Sequence, residues 1–373
     1  MKQRLLTYML IPVSLILTTI IILLCLEIYL RLSLHNPYKL YDCLYFIPAK
    51  LELYYKSLFL NKYKNQAFKH IENYDSFLGW DYHIPTGRMR IKKEPDSQAI
   101  TVVALGDSFT YGVDVKSLDS YPEQLQETLQ KKCKNNIRVL NMGVAGYGID
   151  QAVLKYKKYG RKYKPRLVVL GVYTRDYIRS RLSFYGYAKP FYKLIDIDPK
   201  QIMLTNTHIL PPAELYNIIK SDLSISLYSW LFIESKVLYR YHTLKNPEDP
   251  NNFYAETDIV NEHILRILQQ ELLKTKSKLF IVQIPDGRYF KDKDALQEGN
   301  KEKFGDHLRY TYDKLGIQYI DLIGELPQRF SLREIYNDFY IHNPNNSIGH
   351  FTPKGNYEIA KIIADNLISL NLL

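Results

Sequence analysis

Four short tracts hold residue types that could make and break acyl bonds. Gly106-Asp107-Ser108-Phe109 offers a serine hydroxyl in a glycine-led turn. Gly143-Val144-Ala145-Gly146-Tyr147-Gly148 offers small residues whose backbone N–H groups can approach an oxyanion. Thr174-Arg175-Asp176 sets a guanidinium beside a carboxylate, and His350-Phe351-Thr352-Pro353 supplies an imidazole just ahead of a helix-start signal. A serine to attack, a histidine to take its proton and small residues around an oxyanion suit covalent acyl transfer. Each also has a plainer reading: Ser108 as a helix cap, His350 as a surface histidine, the glycines as turn formers, Arg175 in a surface ion pair. Asp107 reads as a turn-shaping residue.

These tracts need a scaffold. Strand-like apolar runs occur at Ile100–Leu105, Ile137–Asn141, Leu167–Tyr173, Leu279–Ile284 and Ile317–Asp321. Helix-period stretches lie near Tyr121–Lys132, Ile149–Lys162, Thr257–Lys276 and Lys301–Leu315. A last helix follows Thr352-Pro353, an N-cap and a first-turn residue, with Ala360, Ile363, Ala364 and Leu367 as its buried stripe. Strands alternating with helices predict an α/β fold with a parallel sheet covered on both faces. Such sheets carry their ligands at the carboxyl ends of the strands, near the switch point. Residues 177–256 interrupt the alternation; they are Tyr-rich, charge-neutral and hold Pro211-Pro212, which predicts an insertion with a helical excursion over Leu223–Tyr241.

The constellation resembles the SGNH/GDSL hydrolase superfamily. Gly106-Asp107-Ser108-Phe109 matches its first block, Gly146 falls on the oxyanion glycine of the second, and His350 with Thr352-Pro353-Lys354-Gly355 fits the fifth. Leu78-Gly79-Trp80 is similar to the lead-in of many membrane-tethered members. The resemblance runs from about residue 76 to the end and is weakest over 177–256. It implies a flavodoxin-like three-layer sandwich and an ester hydrolase or acyl transferase working through a Ser108 acyl-enzyme. His350 would be base and then acid, with the Ser108 N–H, the Gly146 N–H and Arg175 at the oxyanion. It implies no cofactor, and no Cys/His cluster at metal-ligand spacing suggests a metal. By the same analogy the substrate is an ester-bearing glycan or a small acyl compound.

Two positions depart from the pattern. Arg175 stands where the third block has an oxyanion Asn, and Ser347 stands where the fifth has the Asp that orients the histidine. The sequence therefore predicts His350 held by a backbone carbonyl or by Ser347, as a dyad. It also keeps open a catalytically silent module of this type that binds a glycan or a protein partner.

The surroundings follow from charge. The 373 residues carry a net +11, but residues 1–180 hold +12 and the remainder −1. The densest run, Lys155–Arg166, covers a helix end and the turn into the third strand. It predicts a solvated basic surface away from the strand ends, with anionic lipid or an acidic glycan as a sharper alternative and no nucleic-acid partner. From Leu5 to Leu26 no residue is charged, twenty-two in a row, or roughly 33 Å of helix against a hydrocarbon core of about 30 Å. Lys2 and Arg4 precede it, and Leu24-Cys25-Leu26-Glu27 lacks a small-residue cleavage pattern. The organisation expected is a cytoplasmic tip and signal anchor over 1–27, a juxtamembrane stalk over 28–75 and an extracytoplasmic hydrolase-like domain over 76–373. Cys43 and Cys133 are either one disulfide or two free thiols.

Overall fold

The structure, a computed structural model, describes residues 2–33, 47–63, 73–81, 99–133, 136–197, 200–225, 227–233, 253–300, 303–344 and 347–373. The chain forms two compact units, one of residues 1–69 and 211–253, the other of residues 70–210 and 254–373.

In the first unit one helix runs Lys2–Ser33 with Pro12 inside it. Its apolar side chains, Leu10, Leu15, Ile16, Leu17, Ile22 and Leu24 among them, stand exposed all round. A helix apolar on every face has either a protein core or lipid around it, and the stretch Leu10–Ser33 is long and apolar enough to cross a bilayer. The helix continues past the charge-free run through Glu27 and Arg31, which pair at 2.6 Å. The Glu27 carboxylate also accepts the Tyr228 and Ser229 N–H groups at 3.1 and 2.7 Å, an anion at the start of helix Tyr228–Ile233. Helices Ile47–Tyr63 and Pro212–Ile225 are the other long helices among the described residues of the unit. The helical excursion expected over Leu223–Tyr241 is thus helix to Ile225 and again from Tyr228 to Ile233, while residues 234–241 lie outside the described residues. Cys43 lies outside them too, and Cys133 carries no disulfide among them.

The second unit holds the strands: hairpin β1 (Tyr74–Asp75) and β2 (Gly79–Trp80), then β3 (Ile100–Leu105), β4 (Ile137–Asn141) and β5 (Leu167–Tyr173). After them come hairpin β6 (Phe191–Ile197) and β7 (Lys200–Thr205), then β8 (Lys278–Ile284), β9 (Gln318–Asp321) and hairpin β10 (Tyr340–His342) with β11 (Ile348–Phe351). Five of them form a wholly parallel sheet in the order β4-β3-β5-β8-β9, the flavodoxin-like order with its switch point between β3 and β5. Val102–Leu105 and Leu167–Leu170 are buried throughout, as strands covered on both faces must be. Thr352 caps the last helix, Pro353–Ser369, its Oγ1 accepting the Gly355 N–H at 3.0 Å. Ile359, Ile363 and Leu367 of that helix join Leu125 and Leu129 of helix Tyr121–Lys132 in the core.

Two expectations change. The helix expected over Ile149–Lys162 ends at Lys155, giving way to a π turn over Tyr156–Gly160 and a 3-10 turn over Arg161–Tyr163. The basic run is not one solvated surface either. Lys155 is buried in an ion pair with Asp81, and Lys158 lies 2.9 Å from Asp75, whereas Lys157, Arg161, Lys162, Lys164 and Arg166 are exposed. The acids of the lead-in hairpin take up part of the charge, which spacing along the run alone does not reveal. Residues 177–210 of the expected insertion belong to the second unit and 211–253 to the first.

Candidate active site

The chain leaves β3 through Gly106 at φ +149°, where a Cβ would fall 2.2 Å from Thr110 Oγ1 and 2.6 Å from the Gly171 carbonyl. Only glycine fits so close an approach. Asp107 then caps the four-residue helix Ser108–Tyr111, its Oδ1 accepting the Phe109 N–H at 2.9 Å. Asn141 Nδ2 donates to the Thr110 carbonyl at 2.9 Å, and the Thr110 hydroxyl meets the Tyr121 hydroxyl at 2.9 Å. The helix that carries Ser108 is therefore fastened from β4 and from the helix after it. Ser108 is 9% exposed, and its Oγ donates to Asp107 Oδ2 at 3.2 Å.

His350 lies on β11, not in a loop, and reaches the same place through Phe109. The Phe109 ring meets the imidazole edge-on at 5.0 Å between centroids and packs on Phe351 at 4.7 Å and Tyr173 at 5.1 Å. His350 Nδ1 bonds to Asp114 Oδ2 at 2.9 Å. The predicted dyad is thereby corrected: Ser347 Oγ accepts from Asn343 Nδ2 at 3.0 Å, and a carboxylate 236 positions from His350 is its partner. Asp114 follows the helix that carries Ser108 and comes close to His350 only through the fold. Among the described residues Ser108 Oγ makes no hydrogen bond to His350, and such bonds often tighten only with substrate bound.

Gly146 turns the chain after β4 at φ +83°, and a Cβ there would stand 3.4 Å from both the Trp80 and the Tyr185 rings. Neither its N–H nor that of Ser108 donates to a partner among the described residues, which leaves two donors for an oxyanion. The lead-in tract is bolted to this loop. Trp80 Nε1 donates to the Ala145 carbonyl at 2.9 Å, and the Tyr147 hydroxyl donates to the Trp80 carbonyl at 2.7 Å.

Asp75 holds the lead-in turn. Its Oδ1 accepts the Phe77 and Leu78 N–H groups at 2.8 and 2.7 Å, and its Oδ2 accepts from Lys158 Nζ at 2.9 Å. Burial pushes its carboxyl up, but these hydrogen bonds and the lysine charge outweigh it and hold the pKa below the ordinary value. A depressed folded-state pKa gives stability that is complete above the unfolded value and disappears as pH falls through the folded one. Asp75→Asn should therefore flatten the acid limb of a melting-temperature profile below about pH 4. A limb as steep as that of the wild type would refute it.

The two arginines near β5 part company. Arg175 is 53% exposed and sits 3.8 Å from Asp286, an ion pair among the described residues. Burial raises the Asp286 pKa, but the hydrogen bonds and charge of Arg288, with the charge of Arg175, bring it below the usual value. Arg179, which sequence reasoning passed over, is the inward one at 11% exposed. Its Nη1 donates to Asp107 Oδ2 at 2.9 Å, Asp176 Oδ1 at 2.6 Å and the Tyr147 carbonyl at 3.3 Å. Burial works against its charge, yet Asp176 and Asp107 together keep its pKa above the ordinary value. The one-turn spacing of Asp176 and Arg179 was the available signal. Two cavities of about 540 and 710 Å³, beside β6–β7 and at the starts of β8 and β9, include none of these residues.

No family model and no curated protein matches this sequence. Solved structures do. A G-D-S-L family protein from Desulfitobacterium hafniense DCB-2 is similar over 71% of this chain and 98% of its own, at 12% identity and a TM-score of 0.37. Axe2, an acetylxylan esterase from Geobacillus stearothermophilus, is similar over 72% and 93%, at 11% and 0.39. The psychrotrophic esterase EstA from Pseudoalteromonas sp. is similar over 73% and 98%, at 9% and 0.39. The strand order of this chain itself defines a flavodoxin-like α/β protein, with Ser108 just after β3 and His350 on β11 bonded to Asp114.

Proposed function

We propose that this chain is an SGNH/GDSL-type serine ester hydrolase or acyl transferase, anchored by its N-terminal helix with the α/β domain outside the cytoplasm. Its substrates are O-acyl groups of an extracytoplasmic glycan. The observation that supports the reading is the edge-on packing of His350 on Phe109, the residue next to Ser108, with a carboxylate on the imidazole Nδ1 and the Ser108 and Gly146 N–H groups unengaged among the described residues. Ser108 Oγ bonds to the acyl carbon as its proton passes to His350 Nε2, and the carbonyl electrons move onto the oxyanion. Collapse breaks the bond to the sugar oxygen, which takes the proton from His350. Water or an acceptor hydroxyl repeats the step on the acyl-enzyme and restores Ser108. The Gly146 and Ser108 N–H groups serve the oxyanion together with Arg175, whose charge also suits an anionic substrate group.

A second reading is a silent module that binds a glycan or partner. It is favoured by the Ser108 hydrogen bond to Asp107 and by the engagement of Arg175 with Asp286. A membrane-impermeant fluorophosphonate added to intact cells separates the two. The expected result is one adduct, mapped to the Ser108 peptide and absent from Ser108→Ala. No adduct in intact or lysed cells supports the silent module; an adduct only after lysis overturns the extracytoplasmic placement.

A further inference from the structure

The imidazole needs an orienting acid, and the position three residues before it holds Ser347. The acids nearest upstream are engaged elsewhere. Lys354 Nζ lies 3.0 Å from Glu334 and 2.8 Å from Asp338. Asp286 is occupied by Arg288 at 2.8 Å and by the Tyr173 hydroxyl at 3.1 Å. Asp107 is shared by Arg179 and Ser108. Asp114 is different. It belongs to the turn that ends the nucleophile helix, after the left-handed cap Gly112, and is itself left-handed at φ +69°. That conformation is strained for a non-glycine residue, least so for Asp and Asn. The strain falls where the carboxylate meets His350.

We propose that Asp114 is the positioning residue of His350, an orienting acid supplied by the turn behind Ser108 instead of by the strand that carries the histidine. The inference rests on Ser108 as nucleophile for its effect on rate, but not for its effect on the imidazole. An ionised carboxylate only accepts, so it selects the Nδ1–H tautomer and leaves Nε2 bare to take the Ser108 proton. Nucleophile helix and acid then move as one piece, and β11 brings only the base.

Asp114 is 52% exposed, so water competes with it, and its loss should cost less than the roughly 10⁴-fold seen when a buried triad acid is neutralised. The test takes the full-length chain with ¹⁵N-labelled histidine, alongside Asp114→Asn, which tolerates the backbone conformation, and Asp114→Glu. The ¹⁵N shifts of His350 should report the Nδ1–H tautomer in the wild type and Nε2–H in Asp114→Asn. Fluorophosphonate labelling should fall about 10- to 10³-fold in Asp114→Asn, short of the roughly 10⁴-fold of a buried acid, and recover in part in Asp114→Glu. An Nε2–H imidazole in the wild type overturns the proposal, as does labelling at the same rate in wild type and Asp114→Asn. A wild type that resists the probe while holding Nδ1–H defeats the esterase reading and leaves Asp114 as the group that orients His350.

Discussion

His350→Ala should lower kcat for 4-nitrophenyl acetate by about 10⁴- to 10⁶-fold with little change in KM, the loss expected when a serine hydrolase loses its base. The substrate's small acyl group binds the same surface with or without the imidazole, so the loss falls on the transition state. Without the imidazole, the hydrogen-bond acceptor of Ser108 Oγ among the described residues is Asp107 Oδ2. That carboxylate is 1% exposed and already ion-paired to Arg179 at 2.9 Å. The present Ser108–Asp107 hydrogen bond does not compete seriously with catalysis. At 3.2 Å it is long, and giving up a hydrogen bond to a charged group costs on the order of 2 kcal/mol, less than a hundredfold in rate. Purified wild type, His350→Ala and Ser108→Ala measured side by side decide the matter. A His350→Ala variant within tenfold of wild type would remove the histidine from the mechanism.

The scaffold was legible because its physics is local. β3, β4 and β5 are apolar runs that a sheet covered on both faces demands, and they begin and end where the runs do. Thr352-Pro353 marked the last helix for the same reason. Ser108, Gly146 and His350 stood out because each follows or precedes such an element. What the chain hid was pairing at a distance. Asp114 meets His350 across 236 positions and Lys155 meets Asp81 across 74, and no period or cap relates them. The β10–β11 hairpin was hidden differently. His350 lies on a short strand whose pairing runs Tyr340 to Phe351, too brief for alternation to show. Arg179 was hidden, like Asp114, by pairing at a distance: the block pattern points to the exposed Arg175, while the inward guanidinium four residues on pairs with Asp107, which lies 72 positions away.

Arg179→Met should destabilise the α/β unit by about 3–5 kcal/mol, the usual cost of removing one partner from a buried ion pair, or on the order of 10 °C in melting temperature. The guanidinium is the shared counter-ion of two carboxylates, Asp107 and Asp176, that are 1% and 3% exposed. Methionine restores the volume but leaves two acids with nothing to balance them, so one must take up a proton or the segment must open to water. Arg179→Lys keeps the charge but lacks the planar fork, and it should fall between the two. Arg175→Ala serves as the control, because an exposed pair at 3.8 Å should be worth less than about 1 kcal/mol. The effect should also reach Ser108. Arg179 draws on the same Asp107 oxygen that accepts from Ser108, and so weakens that oxygen's hold on the hydroxyl that must turn toward His350. Arg179→Lys, if folded, should label more slowly with a fluorophosphonate than the wild type. Melting temperatures of Arg179→Met and wild type within 2 °C would show that the two acids do not depend on Arg179.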